Sequence, residues 1–95
     1  MANLPPIVEY VISEHARSEM ERRQIPEADV AHVLALPGQT DTVRVGRAVY
    51  QSRVQMGEPA KTYVLRVFVD IDRQPAQVVT VYRSSKIEKY WRAEE

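Results

Sequence analysis

Ninety-five residues, 44% of them apolar and 27% charged, with three glycines, six prolines and no cysteine, suit one globular core. They exclude a collagen-like or low-complexity chain, a disulfide framework, a thiolate metal site and a catalytic thiol. The formal charge is zero, yet residues 1–43 carry 3 basic and 7 acidic side chains and residues 44–95 carry 10 basic and 6 acidic, so a compact fold can gather one basic face of the kind that phosphate needs.

The start, Met1-Ala2-Asn3-Leu4-Pro5-Pro6, lacks the basic and apolar regions of a signal peptide, and no apolar run approaches the ~20 residues that span a bilayer. A cytoplasmic protein with no membrane association is the expectation. Ile7-Val8-Glu9-Tyr10-Val11-Ile12 is rich in β-branched residues and reads as extended chain or a short edge strand, with a helical start at Pro6 as its rival. Ser13 can accept from amides of the following turn and Glu14 suits the positive end of a helix dipole, so a first helix is predicted from Ser13 to about Gln24, with a thin apolar face of Ala16, Met20 and Ile25. Ile25-Pro26-Glu27-Ala28-Asp29 is a second helix start; Val30, Val33 and Leu34 repeat at helical spacing, and Leu36-Pro37-Gly38 stops it.

From Thr40 the period changes to two. Thr42–Val45 and Ala48–Arg53 flank Gly46-Arg47 as a predicted tight hairpin, and Met56–Lys61 reads as a loop. Thr62–Asp70 and Gln77–Tyr82 are the strongest strand signals and should pair antiparallel across the turn Ile71–Pro75. In the tail a serine cap precedes Ile87, Tyr90 and Trp91 at helical spacing, which predicts a short closing helix. The expected architecture is α+β: two N-terminal helices packed on a four-stranded antiparallel sheet, with a short C-terminal helix, in one domain over residues 1–95.

His15 and His32 are on different helices and neither is joined by a second histidine at i+3 or i+4, so no metal is expected. The three glycines are scattered singly, with no phosphate loop, and no cofactor is expected. His15 falls in the first turn of helix one, where the dipole favours the neutral imidazole that a general base requires, or else packs as a helix-end residue. His32 receives no role. Alternation along Thr62–Asp70 puts Tyr63, Leu65, Val67 and Val69 on one face and Val64, Arg66, Phe68 and Asp70 on the other. Arg66 therefore interrupts an apolar face, and is either ion-paired, with Glu19 as a candidate, or lines a cleft. Arg53, Arg66, Thr80 and Tyr82 form a candidate polar patch on the sheet, with Arg83, Ser84 and Lys86 at its rim.

Three stretches carry a resemblance over Ser13 to Trp91: Ser13-Glu14-His15-Ala16 continuing to Met20, Arg23 and Ile25; Leu65-Arg66-Val67; and Val79-Thr80-Val81-Tyr82-Arg83-Ser84-Ser85-Lys86-Ile87 ending in Tyr90-Trp91. The chain resembles a prokaryotic family of unknown function close to the RelE and ParE toxin superfamily. The resemblance implies a metal-independent endoribonuclease of a toxin–antitoxin system, acting on RNA and neutralised by a small antitoxin protein, or a noncatalytic RNA- or protein-binding module of that fold. It assigns His15 as base or acid, Arg66 or Arg53 as the cation, Tyr82, Thr80 or Lys86 as positioning groups, and Arg53, Arg83, Ser84 and Lys86 as RNA-binding residues.

Overall fold

The computed structural model describes residues 3–93. The chain forms β1 (Tyr10–Ile12), α1 (Glu14–Arg23), α2 (Glu27–Ala35), β2 (Gln39–Arg44), β3 (Arg47–Met56), β4 (Lys61–Asp70), β5 (Ala76–Ser84) and α3 (Ile87–Tyr90). One mixed sheet has the order β1-β5-β4-β3-β2. The expected antiparallel meander occupies β2 to β5, and β1 adds a fifth strand, parallel to β5 and paired from Tyr10↔Ala76 to Ile12↔Val78. The four-strand expectation is thus corrected to five: only the last three residues of the Ile7–Ile12 run pair, because β5 offers its outer edge there.

Local signals explain the helices. Ser13 is the N-cap of α1, its Oγ accepting from the Ala16 amide at 3.1 Å, and Gln24 closes the helix in the left-handed region at φ 56°, as helix C-termini commonly do. Pro26 precedes α2. Together α1 and α2 cover one sheet face, where Ala16, Met20, Ile25, Val30, Val33 and Leu34 pack on Ala48, Tyr50, Leu65, Val67, Val69, Val78 and Val81. The N-terminal segment closes this core, with Tyr50 Oη donating to the Pro5 carbonyl at 2.6 Å and the Ile7 amide to the Leu34 carbonyl at 2.9 Å.

Several boundaries move for identifiable reasons. β2 begins at Gln39, three residues before the predicted strand, because Gln39 and Thr40 are buried polar residues that the two-residue apolar period does not detect. The hairpin turn is Val45-Gly46 rather than Gly46-Arg47; Gly46 takes φ 85°, which a side chain resists. β3 and β4 extend to Met56 and from Lys61, reducing the loop to the residues between them. The closing helix lacks the expected serine cap: Lys86 occupies that position, and Ser84 Oγ accepts the Lys86 amide at 3.1 Å.

A β-bulge matters most for the site. The register passes from Phe68↔Thr80 to Val69↔Val78, leaving Val79 as the extra residue. Val78 and Val81 therefore both reach the core, while Thr80 and Tyr82 turn to the opposite face. No helix among the described residues is long and apolar enough to cross a membrane.

Candidate functional site

The sheet face away from α1 and α2 is built around Arg66. Its neighbours across the strands are Gln51 on β3 and Tyr82 on β5. Arg66 Nε donates to Gln51 Oε1 at 2.9 Å and Nη1 to Tyr82 Oη at 2.7 Å. Its guanidinium carbon lies 4.4 Å from the Tyr90 ring centroid, 5.2 Å from that of Phe68 and 5.8 Å from that of Tyr82. Phe68 and Tyr82 stack at 6.0 Å and Tyr82 meets Tyr90 edge-on at 6.1 Å. Among the described residues no carboxylate pairs with this half-buried cation; amide, phenol and ring faces hold it instead. The pairing with Glu19 that the sequence left open does not form.

Gln51, only 2% exposed, is the hub that ties the C-terminal segment to this face. Its Nε2 donates to Gln39 Oε1 at 2.9 Å and to the Tyr90 carbonyl at 3.0 Å. Gln39 in turn donates to the Arg92 carbonyl at 2.8 Å and accepts from the Arg92 amide at 3.0 Å. Trp91 lies under the Arg53 guanidinium at 4.7 Å and packs so closely on Gly38 that a Cβ there would sit 2.6 Å from the indole.

The two phenols differ in acidity. Burial pushes the Tyr82 hydroxyl above the ordinary tyrosine value, opposed by the Arg66 hydrogen bond and reinforced by hydrogen bonding to Tyr90. Tyr90 is lowered, first by its hydrogen bond with Tyr82, with Lys89 and Arg66 adding to the effect against the cost of burial. A pair of titratable groups pushed in opposite directions is the usual arrangement for dividing acid and base roles.

Of the residues singled out from the sequence, Arg66, Tyr82 and Arg53 are brought together here. Thr80 shares the face but sits opposite Phe68, and Ser84 and Lys86 lie where the chain enters α3. Arg83 does not belong to this rim. Strand alternation places it opposite Leu65 on the helix-covered side, where it hydrogen-bonds the Arg23 carbonyl at the end of α1 and lies 5.3 Å from the Tyr63 ring centroid. His15 also stands apart. Its Nε2 is 3.5 Å from Glu19 Oε2, and Glu19 Oε1 accepts the Val81 amide at 3.2 Å. Glu19 thereby satisfies a backbone donor on the β5 edge beyond the reach of β1. Among the described residues no hydrogen bond or ion pair links His15 to Arg66, Tyr82 or Thr80.

Gln51, Phe68, Tyr90 and Trp91 were not singled out. Strand alternation puts Phe68 on the Arg66 face and helical spacing puts Tyr90 and Trp91 in the closing helix, but that this helix folds onto Arg66 is a long-range contact with no local signal. The available cue to Gln51 is its place two residues from Arg53 on the same strand face, directly after the apolar run Ala48-Val49-Tyr50.

The chain thus combines an α+β fold with a cation set among aromatic rings on one sheet face. The chain belongs to the DUF4258 family, a domain of unknown function, which it matches over residues 12–83. The match takes in Gln51, Arg66, Phe68 and Tyr82 and stops short of Tyr90 and Trp91. No curated protein and no solved structure matches the chain.

Proposed function

We propose that this protein is a toxin-like, metal-independent endoribonuclease that works on RNA laid against the Arg66 face, with a small antitoxin protein as its neutralising partner. The observation that carries the proposal is Arg66 itself: a cation oriented by Gln51 and Tyr82, without a carboxylate partner among the described residues, beside two phenols of divergent acidity.

Cleavage through the ribose needs three things: a base for the 2′-hydroxyl proton, a cation for the charge growing on phosphorus, and an acid for the departing 5′-oxygen. Tyr90, in its phenolate form, takes the 2′-proton as the 2′-oxygen bonds to phosphorus. Arg66 stabilises the phosphorane, and Tyr82, held protonated by burial, delivers its proton to the 5′-oxygen as that bond breaks. The products are a 2′,3′-cyclic phosphate and a 5′-hydroxyl. Proton exchange with solvent then returns Tyr90 to its deprotonated form and Tyr82 to its protonated form. His15 has no part in this scheme.

Purified protein incubated with total RNA in EDTA tests it. Arg66→Ala is expected to lose about 100-fold or more in cleavage rate, the scale of removing a transition-state charge donor, and His15→Ala to stay within a few-fold of wild type. Abolition by His15→Ala with the fold intact would transfer the base role to His15 and overturn the phenol assignment. A noncatalytic RNA-binding module is the second reading, favoured because the groups hydrogen-bonded to Arg66 include no histidine or carboxylate among the described residues. It requires RNA retention on the same face with no cleavage.

A further inference from the structure

Directly behind the Arg66 face lies a second basic and aromatic cluster. β4 carries Lys61 and Tyr63 on the helix-covered side, in step with Leu65, and β5 places Arg83 opposite Leu65. Lys61 Nζ is 5.9 Å and the Arg83 guanidinium 5.3 Å from the centroid of the Tyr63 ring. α1 runs alongside β5, from Ser13, whose amide donates to Val78, through Glu19 at Val81, to Arg23, whose carbonyl accepts from Arg83. Its last turn, which carries Arg22 and Arg23, thus ends beside Arg83. Among the described residues none of these four cations has an ion-pair partner. Tyr63 is partly exposed, and Lys61 and Arg22 are exposed.

The register fixes how the clusters relate. Tyr82 and Arg83 are successive residues on β5, facing Arg66 and Leu65 on β4, so the two stations stand back to back across one two-strand segment. Beyond it, β5 ends at Ser84 while the β3–β4 hairpin continues past Val64. A flexible polyanion leaving Arg66 can turn round this end of the sheet and reach Tyr63 with cations on either side. Lys61 and Arg83 lie over the Tyr63 ring, and exposed Lys61 can swing aside to hold a phosphate while a base takes its place on the ring, the pairing of stacking and charge that grips single-stranded nucleic acid.

We infer that Tyr63, Lys61, Arg83 and the α1 terminus form a second RNA station, so that a single strand of several nucleotides is gripped on both faces of the β4–β5 end. The inference rests on the ribonuclease reading of the Arg66 face and names its substrate class as single-stranded RNA, too flexible a shape for a duplex to imitate. The outer station contributes affinity for long strands and takes no part in bond cleavage.

The test is fluorescence anisotropy with labelled, fully 2′-O-methylated oligonucleotides, which cannot be cleaved, comparing a trinucleotide with a dodecanucleotide. For the exposed-surface variant Arg22→Glu/Lys61→Glu, dodecanucleotide affinity is expected to fall about 10-fold or more while trinucleotide affinity holds, with Tyr63→Ala behaving alike on the scale of one lost base stack. The slope of log affinity against log salt should shrink by about 0.7 for each phosphate contact removed. Arg66→Ala should weaken both ligands. An unchanged dodecanucleotide affinity in the double variant, alongside a loss in Arg66→Ala, would overturn the second station and leave the ribonuclease reading standing. No binding of either oligonucleotide by the wild type would overturn both. Polyglutamate bound as tightly as the dodecanucleotide, and lost in the double variant, would reassign the surface to an acidic protein.

Discussion

Replacing Gln51 with methionine keeps most of the side-chain volume and removes every hydrogen bond the amide makes. Three are lost: two donated bonds, to Gln39 Oε1 and the Tyr90 carbonyl, and one accepted from the Arg66 guanidinium. Neutral bonds contribute about 1 kcal/mol each and one to a charged group about 1.5–3 kcal/mol. Gln39 Oε1 keeps the Arg92 amide, but the Tyr90 carbonyl and Arg66 Nε lose their partner in a half-buried setting. The expected destabilisation is about 3 kcal/mol, a large share of the roughly 5–15 kcal/mol that holds a domain together. For a domain of this size the melting temperature should fall by about 12–24 °C. Urea unfolding followed by the fluorescence of Trp91, the single tryptophan of the chain, measures the loss. Because Trp91 lies on the segment that Gln51 anchors, its emission should also shift to the red in the folded variant. A loss below about 1 kcal/mol with an unchanged denaturant slope and unchanged emission would refute the claim that Gln51 organises this face.

Gly38→Ala should displace the indole that a new Cβ would meet at 2.6 Å, and is checked by increased quenching of Trp91 fluorescence by acrylamide with little change in secondary structure. In a phenolate absorbance titration Tyr90 is expected to ionise at lower pH than Tyr82, following their opposite displacements, and Tyr90→Phe should remove the lower step. Asp70 is held below its ordinary value of 3.8, first by the hydrogen bond from Arg47. A carboxylate depressed by folding contributes stability above its unfolded pKa and loses it as pH falls through the folded value. Asp70→Asn should therefore lower urea midpoints at neutral pH and flatten their decline below about pH 4.

Elements with strong local signals were readable from the sequence: the Ser13 cap, the α2 stripe of Val30, Val33 and Leu34, and the alternation through β4 that separates Leu65 from Arg66. What escaped depends on distant chain. The three-residue β1 is stabilised as a strand by the free β5 edge; Gln39 and Thr40 pair with β3, Gln39 being satisfied by the C-terminal segment and Thr40 by Asn3 and Leu4. The bulge at Val79 defeats a strict two-residue count, putting Val78 rather than Val79 opposite Val69. Arg83 is different, because alternation from Tyr82 already assigns it to the face opposite Arg66. Arg66 and Tyr82 were legible as site candidates because a charge and a phenol share neighbouring strands. Tyr90 was not legible as a partner of Arg66, nor Trp91 as a partner of Arg53, since the C-terminal segment reaches both cations only through the folded sheet.

The central claim, that Arg66 supports cleavage through a ribose hydroxyl, is tested most directly with a 5′-labelled DNA oligonucleotide carrying a single ribonucleotide, incubated in EDTA. One cut is expected, at the phosphate 3′ to that ribonucleotide, leaving a 2′,3′-cyclic phosphate, made by the wild type and absent with folded Arg66→Ala. An uncut oligonucleotide with folded wild-type protein, or a cut that survives Arg66→Ala, would contradict it.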